Sequence, residues 1–436
     1  MGLNYVNLKF TPLIKNYSEI GENAAKIDSI VTEKMPLLGS ITKLHAMPEN
    51  KGFASFANVT NYFNVNKFLQ NRNNLNDVSY RVKKYALQDK SRQILSQKVK
   101  RGQNWVYAHR VNYCLRSRVR KNEPVKVFYN KERQKSQFGN LQRCCSIWNC
   151  PVCASVITEG RRSELKQALD TWTIKGGFCY LITFTNRHYS GMNLSGLLDG
   201  QKKAFVKFWQ KRKVTEMLAK LGYVGRIVAT EVTYSDNNGW HPHYHMIFFF
   251  ERLIDDEAAL QKFLATEWQD ASVKVGLPAP TLKHGVDVSN GTYAAHYISK
   301  WGLDYEITKG HVKKGLNGSL TPFDMLKLSD GQDSYAELFR EFADAFKGKK
   351  QLHWSNGLKK LLAVEQKTDA EIVSDTEQKA DLVRELTMQL WQLILVYDAR
   401  VKVLELVELD YLDHGNRLDD YIINLAKRYI SDYLTS

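Results

Sequence analysis

The chain has 436 residues, which is enough for two or three domains around a sizeable core. Its hydrophobic share of 43% is that of a globular protein, and no apolar run reaches the ~18–20 residues that span a bilayer. Composition therefore excludes a disordered protein and an integral helical membrane protein. The formal net charge of +16 favours a polyanionic partner, although a basic protein without such a partner would show the same balance. The first residues lack the features of a signal peptide, so we expect a cytoplasmic protein with no membrane partner.

The first 88 residues contain no motif that predicts a function. From residue 89 to about residue 137 the chain is strongly basic, with aromatic residues among the lysines and arginines. Cations neutralise phosphates and aromatic rings stack on bases, so this region is a candidate for binding single-stranded nucleic acid. A solvated helix face would have the same charge pattern, and the sequence does not separate the two interpretations.

Cysteines are concentrated in the segment CCSIWNCPVC, and in a reducing compartment they indicate a metal before a disulfide. The four cysteines of this segment have the spacing that is typical of thiolate metal ligands: Cys144, Cys145, Cys150 and Cys153. The pattern predicts a structural Zn²⁺ site that needs a further ligand, for which Cys114 and His109 are candidates. Cys179 falls within a predicted strand and is expected in the core. A redox-active Cys-x-x-Cys pair is the competing interpretation.

Hydrophobic periodicity predicts an α+β fold in which helices flank a central antiparallel sheet. Three segments with helical periodicity are TEGRRSELKQALDTW, the long basic LDGQKKAFVKFWQKRKVTEMLAKLG, and roughly residues 255–275. The predicted strands are GGFCYLITFT, the hairpin formed by GRIVATEVTY and WHPHYHMIFFF around the turn SDNNG, and the short HGVDVS. Beyond Thr368 the chain becomes acidic and is predicted to be helical to its end.

The strand WHPHYHM places His241, His243 and His245 at alternate positions, so the three imidazoles share one face. Pairing of Glu231 near His243 across the hairpin would put a carboxylate on the same face. Two or three imidazoles and one carboxylate leave coordination positions open, as a catalytic metal requires. The zinc-hydrolase pattern His-x-His-x-Asp-His is not matched, because His245 and Met246 occupy its last two positions.

The segment GTYAAHYISKWG is predicted to be a helix with Tyr293 and Tyr297 on one face. A tyrosine can act as a covalent nucleophile when a metal polarises the phosphodiester that it attacks. Lys300, one turn after Tyr297, adds a positive charge that would steady a phosphate or a phenolate. A buried aromatic stripe has the same spacing, and the histidine strand is what favours the catalytic interpretation.

In this order, the motifs resemble those of the rolling-circle replication initiators of small plasmids, a branch of the HUH endonucleases. The resemblance spans about residues 110–364: LITFT is similar to the first motif, EVTYSDNNGWHPHYH to the second and YAAHYISKWG to the third. It implies a Mg²⁺ or Mn²⁺ ion held by His243 and His245. It also implies attack by Tyr297, which leaves a 5′-phosphotyrosine and a 3′-OH that a host polymerase extends. Many plasmid members carry a glutamate four residues before the nucleophile, where this chain has Tyr293, so a second transesterification by Tyr293 is implied at termination.

The motifs divide the chain into four regions. The first two are an N-terminal region of unknown role (1–88) and a basic zinc-binding module (89–160). The last two are an HUH nuclease domain with a family-like extension (161–365) and a helical C-terminal region (366–436). Origin DNA and single-stranded DNA are the expected partners, with a host helicase as a further candidate. The C-terminal helices are equally compatible with a homodimer interface and with a packing layer.

Three other interpretations stay open. A relaxase or transposase of the same superfamily would use a similar metal site, although relaxases usually carry their tyrosines ahead of the histidine motif. A zinc-stabilised DNA-binding protein would need neither the histidines nor the tyrosines for its function. A zinc hydrolase would turn over small esters without forming a covalent DNA adduct.

Overall fold

The structure is a computed structural model that describes residues 75–289, 319–331, 333–375 and 380–434. The described chain is α+β with antiparallel sheets, which confirms the predicted fold class at that level. The predicted tyrosine helix, with Tyr293, Tyr297 and Lys300, lies outside the described residues, as does the chain before residue 75.

The strands of the described ranges are short except for one long hairpin. In chain order they are β1 (Lys98–Arg101), β2 (Asn104–Tyr107), β3 (Val125–Asn130), β4 (Lys135–Gly139), β5 (Phe178–Thr185), β6 (Tyr223–Ser235), β7 (Gly239–Phe250), β8 (Val286–Ser289), β9 (Leu352–Trp354) and β10 (Asp381–Leu386). The helices are α1 (Leu75–Ile94), α2 (Pro151–Ile174), α3 (Leu194–Trp209), α4 (Arg212–Lys220), α5 (Glu257–Lys274), α6 (Pro322–Leu328), α7 (Asp333–Ala345), α8 (Leu358–Leu361), α9 (Asp369–Asp375), α10 (Met388–Val396), α11 (Arg400–Asp413) and α12 (Arg417–Leu434). None of the helices within these ranges is long and apolar enough to cross a membrane.

The chain forms two compact units, of which the larger contains β1, β2 and β5–β9. Its main sheet has five antiparallel strands in the order β8-β5-β7-β6-β9. The strands β6 and β7 form the predicted hairpin, and Glu231, which was expected to pair near His243, lies directly opposite it. Because helices pack against both faces of the sheet, the second half of β7 is buried on both faces and reads as a continuous apolar run.

Both faces of this sheet carry a hydrophobic core. On one face, Phe184 and Phe248 belong to a core shared with Phe208 of α3 and Trp268 of α5. On the other face, strand residues such as Phe249 join a core with Trp172 and other side chains of α2. The first half of β7, which carries the histidines, continues the second face beyond this core, so the imidazoles lie at the edge of a rigid packed layer.

The periodicity of residues 198–222 predicts one long helix, and this prediction is wrong at its middle. The helix α3 ends at Trp209, and α4 begins at Arg212. Between them, the ammonium group of Lys211 lies 2.9 Å from Glu267 and 2.5 Å from Asp270, both on α5. Lys211 is only 11% exposed, so the helix break coincides with a largely buried side chain that is held by ion pairs to another helix. Local helix propensity does not predict such tertiary contacts.

The smaller unit contains a three-stranded antiparallel sheet in the order β10-β3-β4, together with α10–α12. The hydroxyl of Ser136 on β4 donates to the carbonyl of Leu404 on α11 at 2.7 Å. The prediction of continuous helix beyond Thr368 is wrong for Asp381–Leu386, because this segment pairs with β3. A strand whose partner lies so much earlier in the chain leaves no trace in local periodicity.

Candidate metal centres

Glu231 on β6 and His243 and His245 on β7 form a compact group of potential metal ligands, with ligand atoms within 4.8 Å of one another. The distances from Glu231 Oε2 are 3.7 Å to Nε2 of His243 and 3.4 Å to Nε2 of His245. Ligand atoms that share one ion at ~2.1 Å stand about 3.0–3.4 Å apart. All three side chains are half-buried. The group therefore fits a divalent cation after small adjustments.

Each imidazole of this group is oriented through its other ring nitrogen. Nδ1 of His245 lies 2.9 Å from the hydroxyl oxygen of Thr183 on β5, directly opposite in the sheet. Nδ1 of His243 lies 3.3 Å from the carbonyl oxygen of His241, which can only accept. Donation from Nδ1 to this oxygen leaves Nε2 of His243, on the side of Glu231, as the atom that would bind a metal ion.

The charge state of Glu231 suits a cation site. Burial acts to raise the pKa of this carboxyl, but hydrogen bonds from His243 and His245 outweigh it and hold the pKa well below its ordinary value. An anionic carboxylate beside two imidazoles is a donor set for a divalent transition metal, and it is softer than the all-oxygen set that Mg²⁺ prefers.

His241 shares the strand face, yet it lies outside the group of three potential ligands. Its ring stacks on His188, with centroids 4.6 Å apart and an interplanar angle of 20°. Burial, followed by the charges of the neighbouring imidazoles, lowers the pKa of His241 to about 3, so the ring is neutral near pH 7. The structure brings together three of the four predicted ligands. The stacking of His241 on His188 is a contact that no sequence pattern predicts.

Four buried cysteines form a second group of potential ligands, with Sγ atoms within 4.8 Å of one another: Cys114, Cys144, Cys150 and Cys153. The sulfurs of Cys144 and Cys153 are 3.6 Å apart, close to the ~3.8 Å expected between thiolates that bind one tetrahedral Zn²⁺ at ~2.3 Å. Cys150 caps the N-terminus of α2 and accepts a hydrogen bond from the Cys153 N–H. The start of this helix thereby holds the Cys-x-x-Cys pair in place.

The other two cysteines of the described chain and the candidate ligand His109 lie in different environments. Cys145 is half-buried and lies outside the four-cysteine group. His109 uses both ring nitrogens elsewhere: Nε2 lies 3.0 Å from Asp344, and Nδ1 lies 3.1 Å from the amide of Asn149. Cys179 is half-buried and packs against the core on the α2 side of the sheet, and burial raises the pKa of its thiol to about 12.

Part of the sequence is similar to a known protein family. Residues 138–262, which contain the Cys-x-x-Cys pair and the histidine strand, match the model of a family described as replication protein. The resemblance to plasmid replication proteins, drawn from the motifs, is confirmed by this match.

Three individual proteins are similar over longer stretches. A protein named protein rep from Streptomyces lividans is 29% identical over 294 residues, which cover 52% of this chain and 64% of the relative. One of Lentilactobacillus hilgardii is 28% identical over 145 residues, covering 33% and 44%. A protein of Streptomyces cyanogenus named neomycin resistance protein is 31% identical over 163 residues, covering 30% and 37%. The chain therefore spans less than two thirds of the length of each of these relatives. No solved structure matches the chain.

Replacing Thr183 by valine is expected to weaken Mn²⁺ binding about 10- to 100-fold, because valine keeps the shape of threonine but lacks the hydroxyl that orients His245. Isothermal titration calorimetry measures the change. Thr183→Ser retains the hydroxyl and should bind Mn²⁺ nearly as the original protein does. Equal affinities of Thr183→Val and the original protein would contradict the role assigned to this contact.

Proposed function

We propose that the chain is a rolling-circle replication initiator, an HUH endonuclease that nicks one strand of a plasmid origin and holds its 5′ end on a tyrosine. The observation that carries this proposal is the group of Glu231, His243 and His245 on adjacent strands. Its support comes from position, because the group lies inside the stretch that matches replication proteins. The origin strand is the proposed substrate, and the net charge of +16 suits a DNA partner.

Tyr297 is the proposed nucleophile, with Lys300 beside the phosphate that it attacks. Both residues follow Ser289, the last residue of β8. In the sheet, β8 lies two strands from β7, a distance of about 10 Å at the usual strand spacing. The proposal requires the predicted helix to bring the Tyr297 hydroxyl to the phosphate at the metal group, and the position of the covalent adduct tests this requirement.

The proposed chemistry is a transesterification. His243, His245 and Glu231 would hold a Mg²⁺ or Mn²⁺ ion, which supplies Lewis-acid polarisation of the scissile phosphate when bound. The Tyr297 oxygen attacks the phosphorus and gives up its proton, the bond to the 3′ oxygen breaks, and this leaving oxygen takes up a proton, so that a 5′-phosphotyrosine and a free 3′-OH result. Tyr293 is proposed to attack in a second transesterification at termination. Because the phosphodiester energy is kept in the protein–DNA link, the strand can be rejoined without ATP.

For the four-cysteine group we propose a structural Zn²⁺ ion. Four thiolates complete a tetrahedral shell and leave no position for a substrate, which is typical of a structural site rather than a catalytic one. The two metal groups would thus have separate roles, one in holding the start of α2 and one in the reaction.

Incubation with single-stranded circular DNA that carries the cognate origin, in the presence of Mn²⁺, tests the proposal. We expect one cut, a 3′ end that a polymerase extends, and a 5′ end that protein protects from a 5′→3′ exonuclease. Binding of the origin without any cut would favour the non-catalytic DNA-binding protein. Turnover of small esters without a DNA adduct would favour the zinc hydrolase.

A further inference from the structure

We infer that the hairpin of β1 and β2 binds single-stranded DNA through one face that combines two lysines with two aromatic rings. The hairpin is a two-stranded sheet of its own and pairs with no other strand of the described chain. The choice of DNA over another polyanion rests on the proposed function, whereas the binding surface itself rests on the hairpin's geometry.

The register of the hairpin determines which side chains share this face. Lys98 lies opposite Tyr107, and Lys100 lies opposite Trp105. Alternate residues of a strand point to the same side, so these four side chains form one surface. Trp105 is 65% exposed, and the Lys98 ammonium group lies 5.2 Å from the centre of the Tyr107 ring. An indole so exposed adds little to the core, so the stability of the fold does not explain its position.

Charge and aromatic character together select the ligand. Residues 91–112 contain five lysines and arginines and no aspartate or glutamate. Phosphates would be neutralised by these cations, while exposed rings offer stacking surfaces for bases. Duplex DNA would use the cations but has no free base face for Trp105. A single strand uses both, and we therefore assign the face to single-stranded DNA.

The base of the hairpin is firmly held, whereas its aromatic face is exposed. The Ala108 N–H donates to the carbonyl of Gln97 at 2.9 Å, and the adjacent His109 is buried and contacts Asp344. At the other end, Gly102 closes a two-residue turn with a φ of 61°, a conformation that favours glycine. A surface that is already ordered loses less entropy on binding.

The test is the affinity of the full-length protein for fluorescein-labelled oligo(dT), measured by fluorescence anisotropy. Trp105→Ala should weaken binding about tenfold, while Trp105→Phe, which keeps a stacking ring, should weaken it far less. The double variant Lys98→Gln with Lys100→Gln should reduce the slope of log Kd against log salt by about 1.4. Lys220→Gln with Lys360→Gln, two exposed lysines of the same unit, removes equal charge and should leave that slope unchanged.

Photo-crosslinking with 5-iodouracil in the oligonucleotide locates the contact directly. We expect adducts on Trp105 or Tyr107, and circular dichroism establishes that Trp105→Ala is folded. Adducts confined to other peptides, together with unchanged affinity of Trp105→Ala, would overturn the inference. Cleavage of the origin strand by the unaltered protein decides the proposed function separately. A protein that never cuts but whose affinity depends on Trp105 would refute the nicking reaction and keep the hairpin assignment.

Discussion

Replacing His243 by alanine is expected to slow Mn²⁺-dependent nicking by at least about 10³-fold. The variant removes one of the three ligand residues of the group, and Lewis-acid stabilisation of a phosphoryl transition state is worth several kcal/mol. Single-turnover cleavage of an origin oligonucleotide at saturating protein concentration measures the rate, and it separates the chemical step from DNA affinity.

His241→Ala is the matched control for this variant, because His241 lies on the same face of the same strand but outside the ligand group. Its ring stacks on His188, so its loss should change packing while the bound Mn²⁺ stoichiometry is kept. Equal nicking rates for the original protein and His243→Ala would contradict the assignment of the catalytic metal to this group.

Replacing Cys150 by serine is expected to release the bound Zn²⁺ and to lower the free energy of unfolding by more than about 4 kcal/mol. Besides its place among the four thiols, Cys150 caps α2 and accepts a hydrogen bond from the Gln88 amide at 3.3 Å. Because serine can also cap a helix, the expected destabilisation comes from the loss of the metal rather than from the helix start. Elemental analysis of the purified protein measures the zinc content, and urea denaturation measures the stability.

Cys145→Ser is the control for the zinc prediction, since Cys145 is next to Cys144 in the chain but lies outside the four-cysteine group. We expect it to retain one Zn²⁺ per chain. An original protein purified without any zinc would contradict the assignment of this group to a structural ion.

Local patterns were sufficient to predict the histidine hairpin. Alternation places His243 and His245 on one face, and the short turn between β6 and β7 leaves little freedom of register, so Glu231 was expected to pair near His243, and it lies directly opposite. The Cys150–Cys153 pair was equally predictable from the sequence, because a spacing of two residues between cysteines is a local pattern.

Contacts between distant parts of the chain were not predictable in this way. Thr183 was known only as part of a motif, and its contact with His245 depends on the pairing of β5 with β7. The break at Lys211 depends on carboxylates of α5, and β10 depends on its pairing with β3. In each case a partner far away in sequence decides the structure, and neither periodicity nor propensity contains that information.

Identifying the residue that carries the DNA tests the central claim most directly. The protein would be incubated with origin single-stranded DNA and Mn²⁺, denatured and digested, and the DNA-linked peptide identified by mass spectrometry. The proposed mechanism predicts an adduct on Tyr297, with Tyr293 carrying DNA late in the reaction or in a Tyr297→Phe variant. Adducts on Tyr297 alone would keep the nicking reaction and remove the second transesterification. The absence of any tyrosine adduct on the cognate origin would contradict the proposed function.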